Sequence, residues 1–212
     1  MRENMKYDTN RYQLRESMLE RMLDIIHQQE NVQKGNIVFY GDSITEFYNN
    51  NKWFEGSINS GIAGITSDML LNFIDEGVLK FEPQHVVIMI GTNDLGNTRM
   101  SSPRDIALNV KEMIEIIHYN LPNCHIHLLS CIPCVEKYHG YQASNTGIRS
   151  NDVLKMVFEE YKRTIPYEYV HFVDIFSLFY QDGQLMEDCF VDGLHINEKG
   201  YTLISEEIKK FL

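Results

Sequence analysis

Short apolar runs alternate with amphipathic segments along the chain. The apolar runs predict five β-strands, and residues 85–90 form the clearest of them. After its first residue this run is continuously apolar, as expected for a strand in a sheet that is covered on both faces. The other four runs lie at residues 37–40, near 58–59, at 126–130 and at 169–173.

The segments between these runs have the spacing of apolar residues that is typical of helices. They are residues 11–31, about 66–76, a stretch that begins at Pro103, 146–163 and 197–211. Asn197 is predicted to cap the last of these helices. Strands that alternate with helices predict right-handed crossovers and a three-layer α/β/α sandwich around a five-stranded parallel sheet. Because ligands bind at the carboxyl ends of the strands in such a sheet, residues that directly follow a strand are the first candidates for chemistry.

The size and charge of the chain narrow the class of protein. Its 212 residues fit a single domain, and no repeat or linker-like segment divides them. Thirty acidic and nineteen basic residues give a net charge of -11, which repels nucleic-acid phosphates and anionic membrane surfaces. We therefore expect neither a nucleic acid nor a membrane as a partner.

The N-terminal residues lack the apolar core of a signal peptide, and no later run is long enough to span a bilayer. A cytoplasmic protein with reduced thiols is therefore expected. Cys131 and Cys134 match a CxxC pattern, which occurs in zinc and redox sites. No second pair of ligands stands nearby, and the pattern follows a strand rather than opening a helix, so we favour two ordinary thiols.

Two segments carry the residue types of nucleophilic catalysis. Ser43 follows the first predicted strand, where it would open a helix whose backbone N–H groups favour a developing oxyanion. The alternative is that Asp42 or Ser43 only caps that helix. Asp192 and His195 are spaced so that one turn can bring the carboxylate beside the imidazole and hold the tautomer that a general base needs. The alternative is an ordinary surface pair, and the remaining histidines are expected in packing or surface positions.

Two further segments contain groups that can donate hydrogen bonds to an oxyanion. Asn93 follows the central strand, where its amide can act as a donor, although Asn is also common in the turns that close strands. Gly61 and Gly64 follow the second strand, where glycines either expose backbone N–H groups or only make a turn. No one segment decides the function, but together they supply a nucleophile, a base with its carboxylate and oxyanion donors at strand ends.

Four sequence blocks, from GDSITEF at residue 41 to DGLHINEKGY at residue 192, stand in the order found in one enzyme superfamily. The chain resembles the SGNH hydrolases, also called the GDSL-like lipase/acylhydrolases, and within them the members related to platelet-activating-factor acetylhydrolase. The resemblance covers nearly all of residues 36–212 and implies a single, flavodoxin-like SGNH hydrolase domain there. Residues 1–35 fall outside the family core, and we expect them to add a helix that packs on the fold or on a partner.

The resemblance also implies a role for each candidate. By the family pattern, Ser43 is the nucleophile and contributes its backbone N–H to the oxyanion hole. Gly64, rather than the earlier glycine of the same turn, matches the oxyanion glycine, and Asn93 supplies the third donor. His195 is the base and Asp192 is its partner. No metal or cofactor is implied.

We therefore expect a serine esterase that hydrolyses small acyl esters, with an acetyl or another short-chain acyl group. The alternative is a non-catalytic ligand-binding module on the same fold. Tyr138, His139 and Tyr141 lie in a polar loop after the fourth strand and are candidate substrate-binding residues. Such a rim suits polar esters, among them acetylated carbohydrates. The helix at residues 11–31 is a candidate contact for a homo-oligomer.

Overall fold

The computed structural model describes residues 14–30, 34–96, 99–141, 143 and 147–212. Five parallel strands form its centre: β1 (Ile37–Gly41), β2 (Ile58–Gly61), β3 (His85–Met89), β4 (His125–Leu129) and β5 (Val170–Val173). They pair in the order β2-β1-β3-β4-β5. The predicted sandwich around a five-stranded parallel sheet is confirmed, and β2 and β3 are the two neighbours of β1.

The helices are α1 (Glu16–Gln28), α2 (Ser43–Glu46), α3 (Ser67–Asn72), α4 (Ile74–Gly77), α5 (Pro103–Asn120), α6 (Glu136–His139), α7 (Asn151–Thr164) and α8 (Glu198–Ile208). Asn197 caps α8 as predicted, since its side chain accepts from the N–H groups of Lys199 and Gly200. The segment predicted as one helix at 66–76 is two helices, because the backbone of Phe73, with ψ of 8°, leaves the helical conformation between them. The ends of the predicted helices at 11–31 and 146–163 include residues outside the described part of the chain.

The apolar core lies on both faces of the sheet. Side chains of β1 alternate between the faces, so that Val38 and Tyr40 pack in one cluster and Phe39 packs in the other. Side chains from α1, α3, α4, α5 and α7 cover the first face, and α8 covers the second. Met18 and Ile25 bury the inner side of α1 in the first cluster. The continuous apolar runs of the sequence therefore reflect strands that are covered on both sides.

A short hairpin that the sequence analysis missed precedes α8. Its strands are β6 (Tyr180–Gln181) and β7 (Gln184–Leu185), and Asp182 and Gly183 between them both have positive φ. An Asp-Gly pair of this kind is a strong hairpin signal, so the sequence contained the information. Farther along, an isolated antiparallel bridge between Phe190 and Ile196 closes the loop that contains residues 191–195.

Candidate active site

Ser43 lies at the carboxyl end of β1, as the first residue of α2. The turn into the helix is tight, because a Cβ atom at Gly41 would lie 2.2 Å from the carbonyl oxygen of Met89. Asp42 caps the helix by accepting a hydrogen bond from the N–H of Ile44 at 3.0 Å. Asp42 is therefore the residue that caps the helix, and the hydroxyl of Ser43 is not used for capping.

Asp192 and His195 lie on the loop before α8, and Asp192 organises it. Its Oδ1 accepts hydrogen bonds from the N–H groups of Leu194 at 2.9 Å and His195 at 2.8 Å. Its Oδ2 lies 2.7 Å from Nδ1 of His195. Gly193 makes this compact turn possible, because its φ of +90° lies in a region that favours glycine.

The imidazole of His195 joins Asp192 to Ser43. Its Nε2 lies 3.0 Å from Oγ of Ser43. Partial burial raises the pKa of Asp192, but the hydrogen bonds from the imidazole and backbone N–H of His195 and from Leu194 outweigh it and lower the pKa to about 2. Because an ionised carboxylate only accepts hydrogen bonds, Nδ1 carries the proton, and Nε2 is left to accept the proton of Ser43.

Asn93 and Gly64 lie on the loops that follow β3 and β2, on either side of the loop that carries Ser43. The side-chain amide of Asn93 donates to the carbonyl oxygen of Ile65 at 3.0 Å, which leaves its second N–H. In the described part of the chain, no group accepts a hydrogen bond from the backbone N–H of Ser43 or of Gly64. The oxyanion hole that these groups would form stays a prediction.

Asp94 ties the same two loops together. It is fully buried, and its carboxylate accepts from the N–H of Ser67 at 3.0 Å and from the hydroxyl of Ser67 at 2.5 Å. The N-cap residue of α3, Thr66, makes no side-chain hydrogen bond to the first turn of the helix. Asp94 accepts a hydrogen bond from an N–H group of that turn instead. Burial raises the pKa of Asp94 to about 7, although the hydrogen bonds from Ser67 act in the opposite direction.

Residues 39–203 match the model of the GDSL-like Lipase/Acylhydrolase family. The chain belongs to this family. The resemblance to the SGNH hydrolases that the four sequence blocks indicate is thereby confirmed. All five residues with a predicted role, Ser43, Gly64, Asn93, Asp192 and His195, lie inside the matched region.

Similar proteins include platelet-activating factor acetylhydrolase IB subunit alpha2 of Rattus norvegicus, which is 24% identical over 83% of this chain and 75% of its own length. The isoamyl acetate-hydrolyzing esterase of Saccharomyces cerevisiae is 24% identical over 82% of this chain and 84% of its own length. A Streptococcus pneumoniae structure provisionally named as a platelet activating factor superposes with a TM-score of 0.82, at 28% identity over 92% of each chain. A GDSL-like lipase from Bacteroides thetaiotaomicron superposes with a TM-score of 0.73, at 23% identity over 89% of this chain and 95% of that one.

Arg149 is a buried cation near the site of this GDSL-like protein, and the sequence analysis missed it. It is 6% exposed, and its Nε and Nη2 donate to the carbonyl oxygen of Thr92 at 3.1 Å and 2.9 Å. Because Thr92 precedes Asn93, the guanidinium holds the turn that presents the Asn93 amide. Burial raises the pKa of nearby Asp42 to about 6, while its backbone hydrogen bond and the charges of His195 and Arg149 lower it. A single arginine near the start of a predicted helix forms no pattern that sequence reasoning could use.

Asn59 is a second residue whose role the sequence analysis missed. Its side-chain amide donates to the carbonyl oxygens of Thr45 at 2.7 Å and Tyr48 at 2.9 Å, at the end of α2. Its Oδ1 accepts from the N–H of Gly61 at 3.0 Å. One side chain therefore connects the segment that begins at Ser43 with the loop that leads to Gly64. The sequence places Asn59 at a predicted strand end beside that glycine-containing turn, and no pattern there indicates its hydrogen bonds.

Helix α1 reaches the same loop from outside the region that matches the GDSL-like family. The guanidinium of Arg21 donates to the carbonyl oxygens of Gly61 at 2.9 Å and Asn59 at 2.7 Å. The methyl group of Met18 lies 3.1 Å from the position that a Cβ atom of Gly64 would occupy. The helix thus packs directly against the loop that carries a predicted oxyanion donor.

The predicted rim residues lie beside the Asp192 loop. A Cβ atom at Gly193 would lie 2.9 Å from the ring of Tyr138, and Nε2 of His139 lies 3.2 Å from the backbone oxygen of Asp192. Tyr138 and Tyr141 are 57% and 60% exposed. A cleft of about 370 Å³ next to Asp192 is lined by Val135, Tyr138, Glu187, Phe190, Val191, Asp192 and Gly193. Residues 142 and 144–146 of the same loop lie outside the described part of the chain.

The remaining candidates take no part in the line of contacts from Ser43 through His195 to Asp192. Cys131 and Cys134 are buried, and burial raises the pKa of both thiols, that of Cys134 to about 11, so neither is a reactive thiolate near neutral pH. His85, His127 and His171 form a contact chain across β3, β4 and β5, with N–N distances of 3.1 and 3.3 Å. Burial lowers the pKa of His127 to about 3, which fits the predicted packing role.

Two general properties follow from the described residues. Among them, no three histidine, cysteine, aspartate or glutamate side chains are placed to share a metal ion. None of the helices in that part of the chain is both long and apolar enough to cross a bilayer.

Proposed function

We propose that this GDSL-like protein is a serine esterase that hydrolyses small acyl esters, with acetyl esters preferred over longer ones. The observation that supports this proposal is the continuous line of contacts from the hydroxyl of Ser43 through the imidazole of His195 to the carboxylate of Asp192. The two contacts measure 3.0 Å and 2.7 Å, within the range at which a nucleophile and its base exchange a proton.

The proposed reaction begins with attack of Oγ of Ser43 on the ester carbonyl carbon, as Nε2 of His195 takes the hydroxyl proton. The ester C–O bond then breaks, and the same proton moves from Nε2 to the leaving alcohol oxygen. Water attacks the acyl-serine in the second half, gives its proton to Nε2 and releases the acid, and the proton returns to Ser43. Asp192 remains ionised and stabilises the imidazolium each time it forms.

The negative charge on the carbonyl oxygen needs donors, and three groups are proposed for it. They are the backbone N–H groups of Ser43 and Gly64 and the second amide N–H of Asn93. Asn59, Arg149 and the Asn93–Ile65 hydrogen bond fix the loops that present them. Loss of one preorganised donor lowers kcat by about 10²–10³-fold in comparable sites.

The preference for an acetyl group comes from the relatives. The names of the Rattus norvegicus acetylhydrolase subunit and the Saccharomyces cerevisiae esterase both specify an acetyl group, and they specify different alcohols. They therefore support the acyl half of the substrate alone. For the alcohol half, the predicted acetylated carbohydrate stays a prediction that rests on the rim residues Tyr138, His139 and Tyr141.

Hydrolysis of p-nitrophenyl acetate by purified Ser43→Ala tests the proposal. Because this variant lacks the attacking oxygen, we expect kcat to fall by at least about 10³-fold. Ser17→Ala, an exposed serine on α1, serves as the matched control and should keep the wild-type rate. Unchanged turnover in Ser43→Ala would remove Ser43 from the mechanism. A panel of p-nitrophenyl esters from acetyl to octanoyl then tests the acyl preference, and a preference for the longest chain would refute it.

A further inference from the structure

Phe47 is an exposed aromatic side chain beside the imidazole of His195. Its side chain is 53% exposed, whereas the apolar residues of the core are less than a tenth exposed. The centroids of the Phe47 and His195 rings lie 5.3 Å apart, with the ring planes tilted by 57°. A single exposed apolar residue is ordinary on a protein surface, but this one stands next to the group that handles the proton.

The nucleophile helix fixes the position of Phe47. Phe47 follows Ser43 by four residues, and its backbone N–H donates to the carbonyl oxygen of Ser43 at 3.0 Å. Residues four apart lie on the same face of a helix, one turn from each other. Phe47 therefore lies on the same side of α2 as the serine, and the imidazole of His195 contacts both residues.

Val191 is a second exposed apolar residue, and it lies on the loop that also carries Asp192 and His195. It is 73% exposed, and its backbone N–H donates to the carbonyl oxygen of His195 at 2.8 Å. Phe47 contacts the imidazole of His195 from the end of α2, whereas Val191 reaches the same residue through its backbone and lines the cleft beside Asp192. The loop that carries Asp192 and His195 thus also presents an apolar side chain to solvent.

In the proposed reaction, His195 protonates the oxygen of the leaving alcohol. The alcohol half of the ester must then lie against the imidazole, within hydrogen-bonding distance of Nε2. Groups that flank the imidazole are therefore the groups that the alcohol contacts. We infer that Phe47 selects esters whose alcohol is apolar, and aromatic alcohols above all, because ring–ring contact adds to the burial of the Phe47 ring. This inference rests on the proposed esterase function.

The predicted carbohydrate alcohol is the competing outcome. A sugar presents hydroxyl groups, which lose their hydration against Phe47 without gaining a hydrogen bond from it. The polar rim at Tyr138 and His139 favours such an alcohol. Phe47 and the polar rim therefore predict opposite preferences for the alcohol half of the ester. Only the ester whose alcohol reaches Phe47 gains from burying that ring.

The test compares two acetate esters with leaving groups of the same number of non-hydrogen atoms, benzyl acetate and 2-(2-methoxyethoxy)ethyl acetate. We expect the wild-type protein to favour benzyl acetate by about 10-fold in kcat/KM, the discrimination typical of one apolar contact. Phe47→Ser should bring the ratio of the two kcat/KM values close to one, and Phe47→Leu should keep most of it. Tyr119→Ala, which removes an aromatic side chain that is 85% exposed on α5, is the matched control and should keep the wild-type ratio.

A wild-type preference for the polar ester, or an unchanged ratio in Phe47→Ser, would overturn the inference. An acetylated monosaccharide is assayed beside the two esters. A higher kcat/KM for the sugar ester than for benzyl acetate would favour the polar rim and contradict the inference. If no ester is hydrolysed and Ser43 does not react with a fluorophosphonate, the esterase proposal fails, and the inference fails with it. Hydrolysis without the expected ratio would contradict the inference on Phe47 alone.

Discussion

The direction of each hydrogen bond around His195 follows from the ionisation of one carboxylate. Two backbone N–H groups and the imidazole all donate to Asp192, and these bonds lower its pKa to about 2 against the effect of partial burial. The carboxylate is therefore ionised near neutral pH. It accepts the Nδ1 proton, and Nε2 faces Ser43 as the basic nitrogen.

Replacing Asp192 by asparagine should remove this control of the tautomer. An amide can turn its NH₂ group toward Nδ1, which then becomes the acceptor and leaves the proton on Nε2. We expect kcat for p-nitrophenyl acetate to fall by about 10⁴-fold, with little change in the melting temperature.

Asp188→Asn is the matched control, because Asp188 lies on the same loop and pairs with Lys199 at the surface. It should retain wild-type kcat. An Asp192→Asn protein that keeps more than about a tenth of the wild-type kcat would contradict the role assigned to Asp192.

At the scale of the elements, the loops after β2 and β3 are held together by Asp94. Its buried carboxylate satisfies an N–H at the start of α3, next to the loop that carries Gly64, while the adjacent Asn93 contacts the carbonyl oxygen of Ile65. Burial raises the pKa of Asp94 from 3.8 to about 7. Between these two values the folded chain holds a proton that the unfolded chain releases, so the free energy of unfolding falls as pH rises through this window.

Asp94→Asn should remove that pH dependence while keeping an oxygen acceptor for Ser67. We expect the wild-type protein to lose stability relative to the variant between about pH 4 and about pH 7, with a slope on the order of 1 kcal/mol per pH unit. Urea unfolding of both proteins at several pH values measures the difference. Asp75→Asn, an exposed aspartate on α4, is the control. A stability difference that stays constant over this range would contradict the assignment.

The strands and the sequence blocks that contain the site residues were predictable, because each is defined by residues that lie close together in the sequence. A continuously apolar run indicates a strand covered on both faces, and Gly41-Asp42-Ser43 and Asp192–His195 are complete within a few residues. The contributions of Asn59 and Arg149 were not predictable, because each acts through backbone oxygens of a distant segment, and a lone polar residue has no pattern. The hairpin at 180–185 is a different case, since the Asp182-Gly183 pair is itself a hairpin signal in the sequence.

At the scale of the whole molecule, the sheet order brings the candidate site together. β1 lies between β2 and β3, so the loops with Gly64 and Asn93 flank Ser43, and the segment before α8 adds Asp192 and His195. This convergence follows from the rule that ligands bind at the carboxyl ends of parallel strands. The 3.0 Å contact between Ser43 and His195 joins residues that are far apart in the sequence. The sequence predicted that these two residues act together, but it did not predict the distance between them.

Helix α1 is the main addition to the matched family region. Its inner residues pack in the core, and Arg21 binds the loop after β2. Leu19 and Leu23 on its outer side are 47% and 53% exposed. The expectation of a homo-oligomer through this helix stays a prediction, and the helix has a role within the chain in either case.

The most direct measurement is the site of reaction with a fluorophosphonate, located by peptide mass spectrometry. Because the reagent is captured by a serine whose proton is removed by a neighbouring base, we expect one adduct, on Ser43, in the wild-type protein. The His195→Ala variant should react at least about 100-fold more slowly, since the hydroxyl of Ser43 has lost that base. An absent adduct, an adduct on another residue, or labelling of His195→Ala at the wild-type rate would contradict the assignment of Ser43 as the nucleophile.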